Sequence, residues 1–219
     1  MKNKFDLIVF DWDGTLINTI DWIVHCLQSA AEQCGFQVPE IQAAKDVIGL
    51  CIENAVQTLF PYADAAAQDK LVASYSQAYY SKQLSPDDFF PGVYDMLEQL
   101  RQSGYQLAVA TGKTRGGLTQ ALQATGTERL FSITRCADET ASKPDPKMLH
   151  EIMHHTQTSA DRTLMVGDSI HDLQMANNAK VSSIGVTCGA NSMKSLLKYN
   201  PLYCLNQPTE LLAYFSRDY

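Results

Sequence analysis

Two carboxylates, Asp11 and Asp13, stand two residues apart directly after the apolar run Phe5–Phe10. Such a run is typical of a buried strand, and Gly14 permits a turn that would bring both carboxylates to one crevice. Open α/β sheets bind ligands beyond the carboxyl ends of their strands. There, one carboxylate could attack a substrate while the other moves protons. The plainer alternative is a pair of turn-forming Asp residues, which are common.

Short apolar runs that alternate with helical patterns must position these side chains. Apolar residues recur at helical spacing between the runs, with a helix-ending Gly104 after one such stripe. Strands alternating with helices indicate an α/β protein with a doubly wound parallel sheet, which is a Rossmann-like arrangement. The predicted strands are Phe5–Phe10, Tyr105–Ala110, Thr163–Val166 and Ser183–Val186.

The stretch from Asn18 to Pro86 differs because no part of it has a convincing strand pattern. Its apolar residues instead fall on helical faces, beginning with Ile20, Val24 and Leu27. We therefore expect residues 18–86 to form a small all-helical domain inserted after the first strand, and residues 1–17 and 87–219 to form the α/β core. The further helical patterns cover Glu40–Ile48, Glu53–Leu59 and Ala63–Leu84.

The overall charge restricts the possible partners. The net charge is -7 and the sequence pI is about 5.1, so the basic footprint of a nucleic-acid-binding or anionic-membrane-binding protein is missing. We expect neither nucleic acid nor membrane as a partner. An anionic substrate would need local positive charge from a metal ion or from a few Lys and Arg residues.

Cysteine spacing and the absence of long apolar runs favour a cytoplasmic protein. The six cysteines form no C-x-x-C pair, which favours reduced, mostly buried thiols. No uninterrupted apolar run approaches membrane-spanning length, and the N-terminus lacks the pattern of a signal peptide. The sequence leaves the oligomeric state open between monomer and homodimer.

The run Asp11-Trp12-Asp13-Gly14-Thr15-Leu16, directly after an apolar strand, resembles the first motif of the haloacid dehalogenase superfamily. That family has three further motifs, and each has a match in the expected order. Thr111 follows the second predicted strand, Lys143 precedes Pro144, and the acidic pair Asp168 and Asp172 follows a later strand. The resemblance covers the whole chain and implies the family's α/β core with a helical cap after the first strand.

The resemblance also implies a role for each motif residue. Asp11 would be the nucleophile that forms an aspartyl-phosphate, and Asp13 would be the general acid and base. Lys143 would offset the negative charge of Asp11 and the phosphoryl group. Hard oxygen ligands without a Cys or His cluster favour Mg²⁺ over zinc. The implied metal ligands are Asp11, Asp13 (through its backbone carbonyl), Asp168 and Asp172, and the implied phosphate-binding groups are Thr111, Gly112 and Lys143.

The expected activity is magnesium-dependent hydrolysis of a small soluble phosphomonoester, similar to that of phosphoglycolate phosphatases. Close relatives often carry Asn where this chain has Gly112, so the particular substrate stays open. Two other enzymes of the same subclass are alternatives, a β-phosphoglucomutase-like phosphosugar mutase and a small pyrophosphatase. The non-enzymatic alternative is a receiver-like phosphoacceptor domain, but receivers are shorter and lack both the helical insert and the D-x-D-G-T run.

Five further residues are weaker candidates for contact with the substrate. Gly49 and Leu50 stand where relatives carry a substrate-facing cap loop, although a plain turn between helices fits equally well. Lys113 and Arg115 could hold an anionic leaving group, or they could belong to a solvated loop. His171 lies inside the last motif and could line the pocket.

Overall fold

A six-stranded, fully parallel sheet forms the centre of the fold. The computed structural model describes residues 4–216, and its strand order is β3-β2-β1-β4-β5-β6. The predicted α/β class with a parallel, doubly wound sheet is therefore confirmed. The strands are β1 (Leu7–Phe10), β2 (Gln106–Thr111), β3 (Ile133–Cys136), β4 (Thr163–Gly167), β5 (Ser182–Val186) and β6 (Tyr203–Leu205).

Alternation along the central strand divides the apolar core into two layers. Ile8 and Phe10 face a cluster that includes residues of α5, α6 and α10, whereas Leu7 and Val9 face a cluster built by α7 and α8. Helices therefore cover both faces of the sheet. The helices are α1 (Ile20–Gln33), α2 (Ile41–Asp46), α3 (Ile52–Leu59), α4 (Ala65–Tyr79), α5 (Val93–Gln102), α6 (Arg115–Thr125), α7 (Lys147–Thr156), α8 (Ile170–Asn178), α9 (Met193–Leu196) and α10 (Leu211–Ser216).

The strand register brings the ends of three neighbouring strands to one level. Phe10 of β1 lies opposite Val109 of β2 on one side and Val166 of β4 on the other. From β1 the chain first builds the β2–β3 side of the sheet and then returns to build the β4–β6 side. The residues that follow β1, β2 and β4 therefore share one crevice at the point where the strand order reverses.

The stretch 18–86, which is described throughout, contains α1–α4 and contributes no strand to the sheet. Two apolar clusters hold its helices together, one around Leu27 and Val47 and the other around Val56 and Leu71. The predicted boundaries between core and cap stay a prediction. Residues 1–3 and 217–219 of the predicted core lie outside the described part of the chain. No helix of the described part is long and apolar enough to cross a membrane.

Two strands and the last helix of the insert differ from the sequence-based prediction. β3 and β6 were missed because they are only four and three residues long and their apolar residues are interrupted by Thr, Arg or Cys. The last helix of the insert ends at Tyr79 rather than at Leu84. Leu84 packs instead against the core cluster of the sheet, so its apolar side chain is not part of a continued helix.

The two-layer core predicts that substitutions at buried and exposed positions of α5 change the free energy of unfolding by different amounts. Leu97 is fully buried against the sheet, whereas Gln99 on the same helix is exposed. Leu97→Ala should lower the free energy of unfolding by about 2–5 kcal/mol because it leaves a cavity, and Gln99→Ala should change it little. Urea unfolding followed by circular dichroism measures both. Equal stability of the two variants would contradict the described packing of α5.

Candidate active site

Asp11 follows the central strand at the crevice and is almost fully buried, with 2% of its surface exposed. Lys143 is also buried, and its Nζ lies 2.7 Å from Asp11 Oδ1 and 2.6 Å from Asp172 Oδ1. The single ammonium group of Lys143 therefore forms ion pairs with two carboxylates that are far apart in the sequence. The structure brings together Asp11, Lys143 and Asp172, as the resemblance to the family implied.

Asp168 is fixed from both sides. Its Oδ1 accepts a hydrogen bond from the Thr15 hydroxyl at 2.7 Å, and its Oδ2 accepts one from the Ala190 backbone N–H at 2.7 Å. Gly14 has a φ of +78°, and a Cβ at Gly14 or at Gly189 would collide with the Asp168 carboxylate. Two loops can pack this closely around the carboxylate only because both positions lack a side chain.

Asp172 also stabilises the start of α8. Its Oδ2 accepts hydrogen bonds from the Ser169 backbone N–H at 3.0 Å and from the Ser169 hydroxyl at 2.7 Å. The Ser169 side chain in turn accepts from the Asp172 N–H, which completes a capping box. The helix start therefore holds Oδ2, while Oδ1 stays directed towards Lys143.

Oxygens of Asp11, Asp168 and Asp172 all lie within 4.8 Å of one another. Burial, followed by the charge of Asp172, raises the pKa of Asp11 well above its usual range, and Lys143 only partly opposes this. Burial and the charge of Asp172 likewise raise the pKa of Asp168 to about 7, although the bonds from Ala190 and Thr15 oppose the rise. Three carboxylates facing one ammonium leave an excess of negative charge.

A divalent cation fits this excess of charge and this set of donors. Carboxylate oxygens are the ligands that Mg²⁺ prefers, and the buried cluster contains no sulfur or imidazole among its members. Burial by itself lowers the pKa of Lys143, but the nearby charges of Asp11 and Asp172 outweigh burial and raise it. Lys143 therefore stays charged and leaves the remaining negative charge for a cation to balance.

The Asp13 side chain points away from this cluster and towards the helical insert. Its carboxylate accepts hydrogen bonds from the Thr19 hydroxyl at 2.7 Å and from the Tyr79 hydroxyl at 3.2 Å. Lys113 Nζ lies 2.9 Å from Asp13 Oδ2, and it also contacts the Tyr79 hydroxyl. Residues of the sheet side and of α4 therefore meet on one carboxylate.

Thr111 and Gly112 lie beside Asp11 at the end of β2. Thr111 is buried, and its hydroxyl accepts a hydrogen bond from the Lys113 backbone N–H at 3.2 Å. A Cβ at Gly112 would lie 2.5 Å from the carbonyl oxygen of Leu50 and 2.7 Å from that of Gly49. Gly112 therefore permits the loop between α2 and α3 to approach the end of β2 closely.

The five residues that the sequence suggested as weaker candidates for substrate contact fall into two groups. Gly49, Leu50 and Lys113 line a chamber that also includes Asp11 and Asp13. Arg115 and His171 are not among the residues that line it. The Arg115 guanidinium binds Glu139 at 2.6 Å and Thr134, and His171 Nε2 lies 2.9 Å from the backbone oxygen of Asp46.

Sequence reasoning missed four groups that orient the acidic residues. Thr15 belongs to the first motif, and its place there was a usable signal. Thr19 lies four residues further on, directly before α1. Neither Tyr79, which is 66 residues from Asp13, nor the Ala190 backbone N–H has a local signal in the sequence, because only the folded chain brings them to the site.

Comparison with known proteins agrees with this geometry. Residues 8–186 match the family model described as haloacid dehalogenase-like hydrolase. The chain is 32% identical over 211 residues to the probable phosphatase IndB of Dickeya dadantii, covering 94% of this chain and 92% of that protein. It is 28% identical to pyrophosphatase PpaX of Halalkalibacterium halodurans, covering 95% and 96% of the two chains.

The fold also matches a solved structure. A hydrolase from Pseudomonas syringae superimposes with a TM-score of 0.86 at 22% identity, covering 94% of this chain and 96% of that one. The chain belongs to the haloacid dehalogenase-like hydrolase family. The expectation of an enzyme is confirmed, and the family and the relatives together support a hydrolase of the phosphatase class.

The acidic cluster predicts that Mg²⁺ stabilises the folded protein. A ligand that binds only the native state at about 100 times its Kd adds about 2.7 kcal/mol of stability. Titrating MgCl2 should therefore raise Tm progressively. Asp168→Asn should remove most of this rise, whereas the exposed control Asp161→Asn should retain it. Differential scanning fluorimetry measures the shift, and an unchanged Mg²⁺ response in Asp168→Asn would contradict a metal site at this cluster.

Proposed function

We propose that this hydrolase is a magnesium-dependent phosphatase that cleaves a small phosphomonoester through an aspartyl-phosphate on Asp11. The observation that carries the proposal is the buried Asp11 carboxylate at the end of the central strand, held 2.7 Å from Lys143 and close to Asp168 and Asp172. A carboxylate fixed in this way can attack phosphorus without reorganising. The crevice at the strand ends would position the substrate beside Asp11, and the motif residues would carry out phosphoryl transfer.

Charge balance supports the proposed need for a metal ion when a phosphate ester is cleaved at this site. An incoming phosphoryl group would add negative charge next to Asp11, and Lys143 alone does not offset three carboxylates. Magnesium held by Asp11, Asp168, Asp172 and the Asp13 backbone carbonyl would supply the positive charge that the phosphoryl group needs. The Thr111 hydroxyl and the Gly112 N–H, at the end of the neighbouring strand, would donate hydrogen bonds to phosphoryl oxygens.

The position of the Asp13 carboxylate supports its role as general acid and base. It lies on the chamber side of the site, where a leaving group would be, rather than inside the acidic cluster. In the first step it would protonate the departing oxygen, and in the second it would remove a proton from the attacking water. Thr19, Tyr79 and Lys113 would hold its carboxylate in that position.

The alternatives within the family differ in the leaving group. A mutase must return the phosphoryl group to a sugar, and a pyrophosphatase must release phosphate itself, so each needs positive charge for a second anionic group. In the described part of the chain, Lys113 is the only lysine or arginine that lines the chamber, and it already pairs with Asp13. The lining therefore favours phosphomonoester hydrolysis, and it offers no free cation for the carboxylate of phosphoglycolate.

Asp11→Asn tests the proposed nucleophile. The amide keeps the shape but cannot attack phosphorus, so hydrolysis of p-nitrophenyl phosphate should fall at least about a thousandfold, which corresponds to several kcal/mol of lost transition-state stabilisation. The exposed control Asp69→Asn should retain full activity. Thermal melts should show that both variants are folded. Activity of Asp11→Asn within tenfold of the parent would place the nucleophile elsewhere.

Asp13→Asn separates the two steps. p-Nitrophenolate departs without an acid, but the second step still needs a base, so the variant should phosphorylate itself and then stall. We expect a burst of nitrophenolate close to one equivalent per enzyme, followed by a slow steady rate. Alkyl phosphates, whose leaving groups need protonation, should lose activity already in the first step.

Intact-mass analysis of the stalled Asp13→Asn variant should show one added phosphoryl group, which peptide mapping should locate on Asp11. If Asp13 served only as a structural turn residue, both substrate types would slow equally and no phosphoenzyme would accumulate. Equal slowing without a burst would therefore overturn the acid–base role of Asp13 and leave Asp11 as the nucleophile.

A further inference from the structure

The chamber between the acidic site and the helical insert has mostly apolar walls. It begins at Asp11, Asp13 and Thr111 and extends between helices of the insert. A leaving group attached to a phosphoryl group on Asp11 would therefore extend into it. The walls are built largely from aliphatic side chains, namely Ile23, Leu27, Val47, Ile48, Ile52 and Ala55.

Three tyrosines of the α4 end add aromatic surface to this chamber. Tyr75 stacks on Tyr79 with ring centroids 5.6 Å apart, and Tyr80 meets Tyr79 edge-on at 5.4 Å. Burial raises the pKa of Tyr75 and of Tyr79 well above the usual value, so both rings are uncharged. The Tyr79 hydroxyl is already bonded to Asp13. What these side chains offer to a ligand is therefore chiefly ring surface.

Within residues 4–216, the chamber has no spare positive charge. Among these residues Lys113 is the only lysine or arginine in the lining, and its Nζ pairs with Asp13 at 2.9 Å, with only 7% and 12% of the two side chains exposed. Arg115, the nearest basic residue along the chain, binds Glu139 instead. A carboxylate or a second phosphate in this chamber would be desolvated without a partner, which is costly.

We infer that the leaving group of the natural substrate is an uncharged, largely apolar alcohol that carries a ring. This inference rests on the proposed phosphatase function and adds the substrate class to it. Aliphatic side chains and tyrosine rings would enclose the ring, and the Ser76 hydroxyl would be available for one polar substituent. An anionic leaving group would have to take Lys113 away from Asp13.

Two phosphate esters that differ in one charge test the inference. The pair is 4-methylbenzyl phosphate and 4-carboxybenzyl phosphate, in which the methylene insulates the leaving oxygen from the substituent. Assayed with Mg²⁺ on the whole chain, kcat/KM should be at least about thirtyfold higher for the methyl compound, because the carboxylate would be buried without a partner. Pyrophosphate and phosphoglycolate should also be poorer substrates than 4-methylbenzyl phosphate.

A positive charge placed in the chamber should reduce this preference. Ser76 lines the chamber, and the neighbouring Gln77 on the same helix is exposed and is not part of the lining. Ser76→Lys should raise kcat/KM for the carboxybenzyl compound relative to the methyl compound at least about tenfold, since it supplies the missing partner. The matched control Gln77→Lys should leave the ratio unchanged.

Equal use of the two benzyl esters, or preference for the carboxylate, pyrophosphate or phosphoglycolate, would overturn the inference. So would turnover of p-nitrophenyl phosphate without turnover of either benzyl ester, because the enzyme would then accept an activated phenolate leaving group but not a ring-bearing alcohol. Failure of the proposed function is distinguishable from these outcomes. In that case p-nitrophenyl phosphate itself would not be hydrolysed in an Asp11-dependent way, and the inference would fall together with the proposal.

Discussion

The site depends on three buried carboxylates that share one ammonium group. Asp11, Asp168 and Asp172 come within 4.8 Å of one another, and only Lys143 pairs with members of the cluster among the described residues. Water cannot screen these charges, so the backbone must hold them together. Gly14 and Gly189 allow two loops to enclose Asp168, and the capping box of α8 holds Asp172. The excess of negative charge is also what makes the crevice suited to a cation.

The order of the strands in the parallel sheet brings these groups together. β1 lies between β2 and β4, so the residues after each strand meet where the strand order reverses. The helical insert is joined to the chain directly after the first motif, which brings Tyr79 of α4 onto Asp13. The Asp11 carboxylate thus belongs to the acidic cluster, whereas the Asp13 carboxylate is bonded to Thr19 and Tyr79. This separation would provide a physical basis for the proposed division between nucleophilic attack and proton transfer.

The sequence was sufficient to predict the α/β class and the family, because the D-x-D-G-T-L run is followed by three further motifs in the expected order, two of them directly after apolar strand patterns. Its local patterns also predicted the helices of the insert. It could not predict β3 and β6, whose few residues do not form continuous apolar runs. It could not place Lys113 on Asp13 or separate it from Arg115, because only the tertiary fold directs one cation inward and the other to Glu139. The apolar lining of the chamber likewise comes from residues that looked like ordinary helix cores.

A crystal structure grown with magnesium and beryllium fluoride would test the nucleophile most directly. Beryllium trifluoride binds a carboxylate oxygen and imitates a phosphoryl group on that residue. We expect the beryllium on an Asp11 oxygen, with a metal ion beside Asp168 and fluorines near Lys143 and Thr111. Beryllium bonded to another carboxylate, or bound in the crevice without contact to Asp11, would contradict the aspartyl-phosphate assignment.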